Sequence, residues 1–85
     1  MTGLALALDD ELLVAAITGP EDGRGIAPYN IQAVARLERD GLVVTYWSSS
    51  SQRTYFGAND AGIAAACSRS LVQWNPVRCR YEGVS

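Results

Sequence analysis

Seven arginines supply every basic side chain of this 85-residue chain, which has no lysine and no histidine. A guanidinium can fork two donors onto a phosphate or a guanine edge, so the first chemistry to consider is nucleic-acid contact. A GC-rich coding sequence, which favours Arg and Ala, would give the same composition without selection for function. Two cysteines, Cys67 and Cys79, stand twelve apart and cannot build a zinc site without histidine or further thiols. Cys67 falls on an apolar helical face and reads as a small core residue. A disulfide with Cys79 across the Asn75-Pro76 bend is geometrically allowed but disfavoured in a reducing compartment. The acids Asp9, Asp10 and Glu11 point different ways on a helix and have no histidine to join them. Without lysine for a P-loop or a Schiff base, and without a Cys–His or Ser–His pair, a non-enzymatic chain is expected, with no metal and no cofactor.

Charge is unevenly placed around the net value of −2. Residues 1–23 hold five acids and no base, whereas residues 24–80 hold all seven arginines against Glu38, Asp40 and Asp60. The leading segment is acidic and the following half basic, a modest footprint beside that of a strongly DNA-binding domain. A 48% hydrophobic content is ample for a core, and the length suits one domain over 1–85. The run Leu4 to Leu8 lacks a basic flank and falls well short of the ~20 apolar residues of a membrane span. A cytoplasmic protein without membrane contact is the expectation.

The elements that must position these groups follow from spacing. Residues 9–18 read as a helix with Asp9 as N-cap and Asp10 and Glu11 facing the positive end of the dipole. Leu8 and Leu13 would form a hydrophobic staple, and Leu12, Leu13, Ala16 and Ile17 the buried stripe. Residues 19–27, rich in glycine, read as loop. A second helix spans 28–40, with Pro28 in its first turn. Ile31, Val34 and Leu37 would face inward, and Tyr29, Gln32, Ala33, Arg36 and Asp40 outward. Gly41 suits the helix C-terminus. LVVTYW, a serine-rich tip and TYF then make a β-hairpin over 42–57. Leu42, Val44 and Tyr46 share one strand face and Val43, Thr45 and Trp47 the other, which leaves Trp47 or Val43 partly exposed. The last helix covers 59–74, capped by Asn59 and ended by Asn75-Pro76, with Ile63, Cys67, Ser70, Leu71 and Trp74 on one face. The tail alternates Val77, Cys79 and Tyr81 with Arg78 and Arg80, a short edge strand.

RLERDGLV (Arg36 to Val43) followed by a hairpin, and then Ala58 to Gly62 opening another helix, resembles a winged helix-turn-helix domain. The chain is most similar to PadR-like transcriptional regulators, which the segment Ile17 to Gly23 also echoes. The resemblance spans about Leu12 to Ala66. It implies an α+β winged-helix fold in which 28–40 is the recognition helix and 42–57 the wing. One departure is evident: the second helix of such domains is missing here, or reduced to a single turn over Pro20 to Arg24.

The function that follows is DNA-binding regulation, as a homodimer on double-stranded DNA. Gln32 has the donor–acceptor pair that reads adenine and Arg36 the fork that reads guanine. Tyr29 and Asn30 would reach phosphate or sugar. Ser50 and Arg53 at the wing, helped by Arg24, would hold phosphates. Against this stands an ordinary solvated face with Arg36 and Asp40 paired at i,i+4. The resemblance further implies a dimer interface on the helix after the wing, with Leu71 and Trp74 as anchors, unless both simply cap the monomer core. The alternative function is a winged-helix protein-interaction module that binds no DNA, of the kind small phage or mobile-element genes encode, with Trp47 in its partner surface.

Overall fold

The computed structural model describes residues 7–19 and 23–84. The chain is an α+β domain in which three helices pack on one face of a three-stranded antiparallel sheet, and a second hairpin closes the core. Helix α1, Leu8–Thr18, carries three acids in its first turn, where they offset the exposed N–H groups. Leu12 and Leu13 are buried, while Ala16 and Ile17 pack against the core from its edge. Asp9 is not the N-cap. Ala7 holds that position without a side-chain bond, so Leu8 is already helical and exposed and forms no staple with Leu13.

The chain is next described from Gly23, at φ +85°. Strand β1, Arg24–Gly25, occupies part of the stretch in which a loop or a single helical turn was expected. Pro20 to Asp22 lie outside the described residues. β1 pairs with β3 (Arg53–Ala58), which pairs with β2 (Val43–Ser48), so the sheet order is β1-β3-β2. Cross-strand partners share a face. Val43↔Ala58 and Thr45↔Phe56 therefore turn inward, and Val44↔Gly57 and Tyr46↔Tyr55 turn outward.

Helix α2, Ile31–Arg39, begins three residues later than expected because Pro28 to Asn30 form a turn. Ala33, Val34 and Leu37 are buried, whereas Ile31 is 56% exposed. The correction is geometric. A stripe at i, i+3, i+6 drifts by about 60° per step at 3.6 residues per turn. Asn30, Ala33, Val34 and Leu37 keep to one arc, and Ile31 falls outside it. The helix ends as the glycine predicts: Gly41, at φ +77°, donates to the Glu38 carbonyl and Leu42 to that of Leu37, both at 3.0 Å. This is the Schellman arrangement.

Helix α3, Asp60–Ser68, is capped as read from the sequence. Asn59 Oδ1 accepts from the Gly62 amide at 2.8 Å, and its Nδ2 donates to the Gly41 carbonyl at 2.8 Å. One side chain thus ties the start of α3 to the end of α2. The helix stops six residues before the expected end. Ser70 takes φ +59°, and the amides of Ser70 and Leu71 donate back to Cys67 and Ala66 at 3.0 and 2.8 Å. The chain then leaves as strand β4, Val72–Asn75, paired antiparallel with β5, Arg80–Gly83. The tail strand predicted near Val77 to Tyr81 is present, shifted to Arg80–Gly83. Cys67 is exposed rather than in the core, and both cysteines are free thiols.

The core joins all of this. Phe56 and Leu13 are fully buried at its centre, among Leu12, Ala33, Val34, Leu37, Val43, Ala66, Leu71 and Val72.

Candidate binding surface

The arginines are placed by acids and carbonyls rather than by an open face. Arg36 donates from Nε and Nη2 to the two carboxylate oxygens of Asp9 at 3.0 and 2.7 Å. This two-bond fork clamps α2 to α1 and takes the place of the expected Arg36–Asp40 pair. The Arg36 guanidinium holds the Asp9 carboxyl below its usual range, opposed by partial burial. Arg69 reaches Asp10 at 3.1 Å, and Arg78 and Arg80 both reach Glu82 at 3.4 Å. Glu82 also accepts from Asn75 Nδ2 at 2.9 Å. That hydrogen bond, together with the two guanidiniums, lowers its pKa. Arg39 stands 4.0 Å from Asp40. Five of the seven arginines thus face a carboxylate.

The two others differ. Arg24 Nε donates to the Ala15 carbonyl at 3.0 Å, which lays it along α1, six residues on from Asp9, the anchor of Arg36. Arg53 pairs with Ser48 in the hairpin ladder, and its exposed side chain has no hydrogen bond or ion pair among the described residues. Arg24 and Arg36 are therefore tied to separate turns of α1, and Arg53 stands on the hairpin.

The remaining predicted contacts also separate. Asn30 is 3% exposed. Its Oδ1 accepts from the Ala27 amide at 2.9 Å while its own backbone amide donates to the Ala27 carbonyl at 3.0 Å, so this side chain closes the turn before α2. Ala33, placed outward from the sequence, is in the core. Tyr29 and Gln32 are exposed. Ser50 lies at the hairpin tip, its Oγ 3.1 Å from that of Ser48.

Of the three predicted anchors, Leu71 is buried with the core, because the turn at Ser70 folds it inward. Trp74 is 51% exposed and meets Tyr81 edge-on at 5.1 Å on the second hairpin. Trp47 is 63% exposed. It shares the inner sheet face with Val43 and Thr45, yet lies near the hairpin tip. There it lines an open groove of about 720 Å³ with Gly25, Ile26, Pro28, Ile31 and Arg53. The other side of the sheet is also apolar: Tyr46 stacks on Tyr55 with centroids 6.0 Å apart and lays its hydroxyl against Gly23.

Sequence reasoning missed the groove. The spacing of Ile31 from Val34 mimics a core stripe, and Gly25 carries no sequence signal of strand pairing. Among the described residues no group of three His, Cys, Asp or Glu side chains could hold a metal, and no helix is long and apolar enough to cross a membrane. These elements define a small α+β domain whose exposed features are aromatic and aliphatic more than cationic. Compared with protein-family models, with curated proteins and with solved structures, the chain matches none of them.

Proposed function

We propose that the chain is a small winged-helix-type module that works by binding another protein. The observation that carries this reading is the disposition of charge against apolar surface. Five arginines face carboxylates, the helix expected to read bases has Arg36 clamped to Asp9 and Asn30 turned inward, and Trp47 stands exposed beside Ile31. An exposed aromatic next to aliphatic side chains is the usual make-up of a protein-recognition patch. The helix α2, the hairpin that follows it and the short strand beside that hairpin support the winged-helix description. The two-residue strand β1, which contains Arg24, marks its departure from the PadR-like pattern.

DNA binding is the second reading. It is supported by the Arg53 side chain on the hairpin, which has no partner among the described residues, and by exposed Tyr29 in the turn before α2 and Gln32 on α2. A labelled random duplex titrated with the protein at low and moderate salt separates the two. Phosphate-driven binding weakens steeply with salt through counterion release, so the interaction reading expects no tight, salt-sensitive binding. Tight binding that Arg53→Ala reduces would overturn it. In the complementary experiment, affinity capture from cells with wild type, Trp47→Arg and Trp74→Arg should lose its partner only with the Trp47 variant.

A further inference from the structure

The groove beside Trp47 has a chemistry that narrows what it would take. Its walls are Ile26, Pro28 and Ile31 on one side and the hairpin residues Trp47 and Arg53 on the other, with Gly25 at its edge. Among the described residues no acid lines it, and Arg53 is the one charged group there. This local positive site stands in a chain of net charge −2.

Backbone geometry adds a second element. Ile26 donates its amide to the Thr54 carbonyl at 2.9 Å, and Gly25 lies opposite Tyr55 in the register. Antiparallel pairs alternate between bonded and non-bonded positions. If Ile26 and Thr54 form a bonded pair, Gly25 turns its N–H and C=O away from β3, toward the open edge. Gly25 is exposed, and β1 pairs on one side only among the described residues.

We propose that this groove binds an extended peptide segment of a partner protein that carries an aspartate or glutamate beside a large apolar side chain. The apolar side chain seats against Trp47 and Ile31, the carboxylate pairs with Arg53, and one backbone rung forms at Gly25. Strand addition at an open edge combined with side-chain pockets is an established mode of peptide recognition, and charge complementarity sets the preference for an acid. A nucleic acid strand suits the site less well, since its affinity rests on several neutralised phosphates and the groove offers one guanidinium. The inference rests on the protein-interaction reading and specifies its ligand.

The test is selection of a random seven-residue peptide library, displayed on phage, against wild type and Arg53→Glu. Selected peptides are then titrated into labelled protein and followed by NMR. The expected consensus holds an Asp or Glu at a constant offset from an aromatic or aliphatic residue. The Gly25 and Ile31 amides and the Trp47 indole should shift. Arg53→Glu should weaken binding about tenfold or more, and replacing the peptide acid by lysine should restore it. Arg53 is exposed, so this variant keeps the fold. No enrichment, a consensus without an acid, or shifts centred on Trp74 would overturn the proposal. So would salt-sensitive binding of a twelve-residue oligothymidine at Trp47, which would reassign the groove to single-stranded nucleic acid. If selection fails while Trp47→Arg still loses a cellular partner, the peptide chemistry falls and the interaction reading stands. If Trp47→Arg also loses nothing, both fall.

Discussion

A guanidinium already forked onto a carboxylate has little left to offer a base edge. That is the position of Arg36, whose two bonds to Asp9 join residues 27 apart in sequence, on different helices. The pair is half exposed, so solvent screens it, and its value is better read from pH than from an assigned energy. The folded-state pKa of Asp9 lies below the ordinary 3.8, chiefly because of the hydrogen bond from Arg36. The unfolded chain therefore binds this proton more tightly. The stability Asp9 adds is fully present above the unfolded value and is lost as pH falls through the depressed folded one. Asp9→Asn should lower the urea midpoint at pH 7, and the gap to wild type should narrow as pH falls below the ordinary carboxylate range. A gap that does not change with pH would show that the ion pair is not its source. The sequence placed acids at the start of α1 and arginine on α2, but not their pairing. Asp9 was assigned to capping because helix dipoles are local and legible, whereas the approach of α2 depends on the core between the helices.

At the scale of elements, α2 and α3 end in the same way with different residues. Each closes with two backward hydrogen bonds around a residue in the left-handed conformation. Gly41 takes that conformation freely, and Ser70, at φ +59°, carries a side-chain cost. Ser70→Gly should therefore stabilise the fold by about 1 kcal/mol, read as a raised urea midpoint with unchanged slope. A lowered midpoint would mean that the Ser70 side chain contributes more than its backbone strain costs. This contrast also explains which boundary was legible. A glycine after an apolar stripe announces a helix end, so Gly41 was read correctly. Serine announces nothing, and the stripe appeared to run on to Pro76. The gain from burying Leu71 and Val72 selects the turn, and that gain exists only once the sheet and α1 are in place.

On the scale of the whole molecule, one side chain lies where the layers meet. Phe56, fully buried, comes from the central strand, which lies between β1 and β2 and packs against α1 and α3. Removing it should cost about 3–5 kcal/mol, a large share of the roughly 5–15 kcal/mol that holds a small domain together. Phe56→Ala is expected to lose most of its cooperative unfolding transition by circular dichroism. Trp47→Ala, which removes mainly solvent-facing surface, should unfold close to wild type. Comparable losses from both would place Trp47 in the core and remove the exposed surface on which the binding proposal stands.

By itself the sequence determined the α+β class, the three helices, the hairpin after α2, the Asn59 cap and the Gly41 stop. All of these are set by local pattern or turn chemistry. The tertiary structure alone decided that β1 joins the sheet, that α3 gives way to a second hairpin, that Leu71 and Ala33 are core, and that Ile31, Gly25 and Arg53 meet Trp47 around one groove. Those outcomes depend on contacts between residues far apart in the chain. Their energy comes from shared burial and cross-strand bonds, and no single stretch of sequence contains either.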